Sequence, residues 1–285
     1  MRVSTITFFF QSIILLRMHV WQFLLLLLTS ASCFGQTVDQ ESQPRRPATC
    51  KTYTLCNQRG TSALKAARID EAIKLFEEQV RLAELADIDR QQKPQSRNSG
   101  PGQSALTAYN NLAVAYMHKG DYLQARAWAA TAIACDKKDQ AALFNMRKIE
   151  ERLGSSQGSK SPDGTYVQYA GRASWQTFVV ETMSAKPSLQ SSVHFCFSGL
   201  YWGLGEGPSG LGDLEGNVPV RDMKAEYVSH DFSEQGCKLA LEFHPDQLEV
   251  QQTGDDSDCG FGHNVNASGT YLRVSTSTKC PEQER

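Results

Sequence analysis

The sequence predicts an α+β protein whose helices and strands occupy separate segments, and three observations carry that prediction. Tyr109, Leu112, Ala113, Tyr116, Gly120, Tyr122, Ala125, Ala129 and Ala132 follow the spacing of one helix–turn–helix unit of about 34 residues. From Asp163 the grammar changes to short alternating runs separated by turn residues. Between the two lies Gly154-Ser-Ser-Gln-Gly-Ser-Lys-Ser-Pro162, a linker by composition.

The N-terminal segment, 1–35, reads as an export signal. Trp21-Gln-Phe-Leu-Leu-Leu-Leu-Leu28 is followed by mostly small residues from Thr29 to Gln36, and Arg2 and Arg17 supply positive charge. Met18 is an alternative start, and an uncleaved anchor is the competing reading. Cleavage after Gly35 frees Gln36, whereas cleavage before Cys33 allows a lipid anchor on that cysteine. Either route predicts a periplasmic or secreted protein, in a compartment where disulfides persist. Residues 36–49 are polar, contain Pro44 and Pro47, and read as disordered.

Residues 50–154 form the predicted helical domain. Ala63, Leu64, Ala67, Ile69, Ala72, Ile73, Phe76, Val80 and Ala83 recur mostly at three- and four-residue steps, and Asp70-Glu71 suits the positive end of a second helix. Asp89–Ser104 interrupts the period with Pro94, Gly100, Pro101 and Gly102, as a loop or as extensions of the flanking helices. Residues 106–139 are the best repeat. Ala113, Ala125 and Ala132 are small where two helices cross, Tyr109 and Tyr116 fill the groove towards the preceding helices, and Gly120-Asp121 makes the turn. Leu143, Met146, Ile149 and Leu153 then give one more amphipathic helix, a polar cap.

This pattern resembles the tetratricopeptide repeat, strongly over 106–139 and more weakly over 53–86, where Cys56 replaces the first large residue. The resemblance implies a stacked helical array with a concave surface for a protein or peptide partner. Asn110 and Asn111 are the partner-binding residues it implies, in a groove lined also by Tyr116 and Lys119.

Seven strand-like runs occur in 163–275: Thr165–Tyr169, Gln176–Glu181, Val193–Ser198, Ala225–His230, Lys238–Phe243, Leu248–Thr253 and Gly269–Val274. Leu239, Leu241 and Phe243 alternate with Lys238, Ala240 and Glu242, and Pro245-Asp246 turns them onto Leu248–Gln252 as a hairpin. An antiparallel sandwich or barrel follows, the barrel being preferred because closure removes exposed edges. Residues 276–285 form a tail.

Gly164-Thr-Tyr166, Trp175, Gly236-Cys-Lys-Leu239, Gln251-Gln-Thr-Gly254, Asp258-Cys-Gly-Phe-Gly-His-Asn-Val265 and Gly269-Thr-Tyr271 resemble a family of small exported β domains of bacteria. In architecture they resemble the barrels of periplasmic lysozyme inhibitors. The inhibitors' Ser-Gly-containing binding loop is absent, so inhibition is not implied for this chain.

The eight cysteines include no CxxC pair, which gives a zinc or thioredoxin-like motif no support. Cys237 and Cys259 bracket the hairpin and are expected to pair, leaving Cys196 and Cys280 as the other pair in this half. Cys50 and Cys56 can pair across one or two helical turns, and Cys135 is then a buried thiol. The spacing leaves other connectivities open.

Net charge of -2 and a pI near 6.3 give no footprint for nucleic acid. Gly203–Gly210 lacks the context of a phosphate loop and reads as a solvated loop over the barrel mouth. Beside it, Tyr201 and Trp202 are a possible ligand grip, with core packing the plainer reading. Asp255, Asp256 and Asp258 do not match a calcium loop. His263 is the histidine chosen as a functional candidate. Neither a nucleophile elbow nor a clustered acid–base site is visible, so no catalytic residue, metal or cofactor is predicted. The leading functional expectation is an envelope interaction protein rather than an enzyme. The alternative places the activity in the β domain, binding a glycan or inhibiting a wall-degrading enzyme. Oligomeric state is left open.

Overall fold

The structure, a computed structural model, describes residues 50–91, 103–154, 161–183, 191–203 and 207–280. The predicted signal, the disordered segment 36–49, most of the 89–104 interruption and most of the linker lie outside the described residues.

Among the described residues five α-helices come first: α1 (Tyr53–Lys65), α2 (Ile69–Gln91), α3 (Gln103–Lys119), α4 (Tyr122–Cys135) and α5 (Gln140–Leu153). Three are started by a side chain that satisfies an orphan amide: Thr52 accepts from the Leu55 N–H, Asp121 from Gln124 and Asp139 from Ala142. Gly120 takes a φ of 82° at the turn between α3 and α4. The predicted small crossing positions Ala113, Ala125 and Ala132 are fully buried, as are Ala63 and Ala72. Gly60 is the tightest, since a Cβ there would stand 2.4 Å from the Phe76 ring. The helical core gathers Phe76, Val80, Leu112, Trp128 and Ile149.

Eight antiparallel strands follow: β1 (Gly164–Gly171), β2 (Ser174–Met183), β3 (Ser192–Trp202), β4 (Pro208–Pro219), β5 (Lys224–Ser229), β6 (Cys237–Phe243), β7 (Gln247–Thr253) and β8 (Gly269–Ser275). Their order is β4-β3-β2-β1-β8-β7-β6-β5, a meander in which β1 joins β8 and the two ends, β4 and β5, come together as a nearly closed barrel. The predicted hairpin has the expected register, Phe243 opposite Leu248 and Leu239 opposite Gln252. Phe178, Phe195, Phe197, Leu239, Leu241, Leu248 and Tyr271 fill the interior.

Two expectations need correction. The strand count is eight among the described residues, because Pro208–Pro219 is a strand that takes Pro208–Gly210 out of the predicted solvated loop. Glycines hid that strand. Gly210, Gly212 and Gly216 face inward, where the His263 carbonyl, the Phe261 ring and the Tyr227 ring occupy the space a side chain would take. Secondly, helices and strands are not two independent bodies. Tyr169, Ala173 and Trp175 of the barrel pack onto the helical core.

All three disulfides match the expected pairs: Cys50–Cys56, Cys196–Cys280 and Cys237–Cys259. Cys135 is a free thiol, half-buried rather than buried. Burial and the nearby carboxylates of Asp136 and Asp87 push its pKa up, so it is a poor nucleophile. No helix among the described residues is long and apolar enough to cross a membrane.

Candidate functional site

The four helical candidates lie on α3 but do not form one cluster. Asn110 and Asn111 stitch helices together. The Asn110 Nδ2 donates to Asp139 Oδ1 at 2.9 Å, and its Oδ1 accepts from Asn145 of α5 at 3.1 Å. Asn111 donates to Asn57 of α1 at 2.8 Å and to Gln79 of α2 at 3.3 Å. Gln79 and Asn145 are buried, so these amides satisfy one another first. Tyr116 is half-buried, and its hydroxyl pKa is raised by burial and by Glu77, Asp121 and Asp70. Lys119 lies eight residues beyond Asn111, about 12 Å along the axis. It is exposed and pairs with Asp70 at 2.9 Å. On α5 the Phe144 ring is 52% exposed, with the Lys148 ammonium 5.9 Å above it.

The barrel candidates gather loosely at one end. Tyr201 pairs with Gly210, and a Cβ on Gly210 would meet the His263 carbonyl at 2.3 Å. Tyr201 and His263 therefore flank the same spot, both exposed. Trp202 leaves them. Its ring lies 4.7 Å beneath the Arg172 guanidinium, so the two aromatics do not close on one ligand. The Cys-Gly-Phe-Gly-His segment is built as a plug. Asp256 accepts from the Ser257 and Asn264 amides, Gly262 donates to the Leu211 carbonyl at the β4 edge, and Phe261 packs 5.2 Å from Phe197. The side chain of His263 points to no described partner.

The most concentrated chemistry is at the junction of helices and barrel, which sequence reasoning missed. The Glu84 carboxylate of α2 accepts from the Tyr109 hydroxyl, from the Tyr169 hydroxyl at 2.5 Å and from the Arg172 amide at 2.5 Å. Tyr109, Trp128, Tyr169 and Trp175 cluster there with neighbouring centroids 4.7–6.2 Å apart, Tyr109 and Trp128 stacked at 20° and the other pairs edge-on. Burial first, and then the Glu84 charge, raise the pKa of both tyrosines, so each hydroxyl keeps its proton and donates it. Arg172 and Ala173, with φ of 50° and 59°, make the tight β1–β2 turn that Glu84 holds. Beside it Arg126 of α4 reaches Asp246 at 2.8 Å and the Arg273 carbonyl at 3.2 Å. Glu84 sits in an acid-rich helix that reads as solvated. The one available signal was its place directly after Val80 and Ala83 on the apolar stripe.

Both oxygens of Glu84 are taken by protein donors, which ties α2 to the barrel. Among the described residues the one trio of metal-ligand types within 4.8 Å is His194, Cys196 and Cys280, and its two sulfurs are bonded to each other. Comparisons with known protein families, curated proteins and solved structures find no match.

Proposed function

We propose that this chain is an exported interaction protein of the bacterial envelope, in which a tetratricopeptide-like helical array presents a protein-binding face and the barrel serves as a rigid body docked behind it. The supporting observation is Phe144. A large aromatic side chain stands half in water on α5, under a lysine and beside Arg147, with no α-helix following it among the described residues. Exposed aromatic and arginine side chains on a rigid helical layer are the usual anchors of a partner segment. Glu84, Arg126 and Trp128 take up the barrel, which leaves the Phe144 side of α5 for other company. The three disulfides and the apolar N-terminal run favour an oxidising compartment outside the cytoplasm.

The test compares wild type with Phe144→Ala/Lys148→Glu as baits in envelope extracts. Both positions are exposed, so the fold is retained and is checked by circular dichroism. The variant is expected to lose one specific partner at least tenfold (roughly 1.4 kcal/mol). Equal recovery of every captured protein sinks the reading. The barrel alternative, glycan binding at Tyr201 and His263, is favoured by the exposed Tyr201 ring. Tyr201→Ala should then abolish retention on peptidoglycan.

A further inference from the structure

The outer face of the barrel carries a feature that the interaction reading does not use. One register row runs across it: Ser275 on β8 faces Thr165 on β1, Thr165 flanks the Val179 position of β2, and Val179 faces Cys196 on β3. The C-terminal tail follows this row. It leaves β8 at Ser275, takes a hydrogen bond from the Thr165 hydroxyl on the Ser277 carbonyl, and ends bonded to Cys196 through Cys280. Three strand spacings are about 14 Å, and five extended residues reach about 17 Å, so 276–280 form a nearly taut strap. Val179 explains what the strap covers. It points outward, opposite to Phe178 and Val180, yet is only 4% exposed.

The bond that holds the strap differs from the other two disulfides. Cys50, Cys56, Cys237 and Cys259 are all buried in the cores, whereas Cys280 is only partly covered and Cys196 lies outside the core clusters. A histidine also attends it. His194 lies two residues before Cys196 on the same face of β3, and its Nε2 stands 3.5 Å from Cys196 Sγ. The other ring nitrogen, Nδ1, donates to Asn217 Oδ1 at 3.1 Å, which fixes the ring and leaves Nε2 to exchange a proton at the sulfur. Glu181 faces His194 from β2, and Glu215 faces Cys196 from β4.

We propose that Cys196–Cys280, with His194 beside it, is a thiol–disulfide exchange site whose substrate is a dithiol reductant. A thiolate of the dithiol attacks Cys280 Sγ. A new sulfur–sulfur bond forms there, the Cys196–Cys280 bond breaks, and its electron pair leaves on Cys196 Sγ, which takes the proton of His194 Nε2. The second thiolate of the dithiol then attacks its own bonded sulfur. The dithiol leaves as a disulfide, and Cys280 leaves as a thiolate that takes a proton from water. The protein disulfide is reduced, the dithiol is oxidised, and the strap is freed from the β1–β3 face. A partly exposed bond with a stabilised leaving thiolate is the kind that exchanges fastest.

The experiment treats the native, folded chain with dithiothreitol, quenches by alkylation at intervals and maps modified cysteines by mass spectrometry. Cys196 and Cys280 are expected to be labelled at least about tenfold faster than the four buried cysteines, which wait for local opening. His194→Gln is expected to slow that labelling about threefold or more through the poorer leaving group, with no change at Cys237 and Cys259. A merely loosened fold would speed both. The proposal is overturned if a buried pair opens as fast as Cys196–Cys280, or if His194→Gln leaves its rate unchanged or raises it.

Discussion

At Glu84, three protein donors converge on one carboxylate. Removing it strands two tyrosine hydroxyls and a backbone amide in a closed joint. Glu84→Ala should lower unfolding stability by roughly 2–5 kcal/mol, measured by chemical denaturation, and a loss below 1 kcal/mol would mean water replaces it freely. Gly60 makes the opposite point, that a position can be specified by having no side chain. A methyl group there meets the Phe76 ring 2.4 Å away, so Gly60→Ala should cost about 1–3 kcal/mol by overpacking. The sequence does flag small crossing positions such as Ala113, Ala125 and Ala132, because smallness at a fixed spacing is a local signal. It could not flag Glu84, whose meaning comes from residues 25 and 85 positions away.

Among the elements, the β6–β7 hairpin and its disulfide were legible in full: alternation, turn and bracketing cysteines all lie within 22 residues. Cys237→Ser/Cys259→Ser should cost about 3 kcal/mol, read as a lower melting temperature than wild type under non-reducing conditions. Strand β4 was not legible, since its inward positions are glycines whose space is filled by Phe261 and Tyr227 from elsewhere in the chain. The β1–β2 hairpin carries the helix–barrel joint and has a pH signature. Tyr109 and Tyr169 are held protonated in the fold above the ordinary tyrosine pKa of 10.0. Raised folded values mean that stability is complete below pH 10 and falls as pH rises above it, where the unfolded tyrosines ionise and the folded ones do not. Tyrosinate absorbance should therefore show these two rings titrating only with unfolding. Early ionisation together with the surface tyrosines would refute the buried joint.

For the whole molecule, the seam where Tyr169, Ala173 and Trp175 pack onto the helical core predicts joint unfolding. Helix loss by far-ultraviolet circular dichroism and the change in Trp128 and Trp175 fluorescence, 4.7 Å apart at the seam, should coincide in one denaturation transition. Two separated transitions would restore the independent bodies that the linker composition suggested. The candidate site was legible only in outline. Asn110 and Asn111 are legible as adjacent amides on one helix, but their bonds to Asn57, Gln79, Asp139 and Asn145 are internal. Tyr201 and His263 do share one barrel end, whereas Trp202 turns away to Arg172.

By itself the sequence determined the order of helices before strands, the helix crossings and the main hairpin with its bracketing cysteines, because each rests on periodicity or on nearby residues of one chemical kind. Only the tertiary structure decided the eighth strand, the Glu84 joint and the strap across the barrel. Those depend on which distant side chains meet, and a pattern along the chain carries no record of that distance in space.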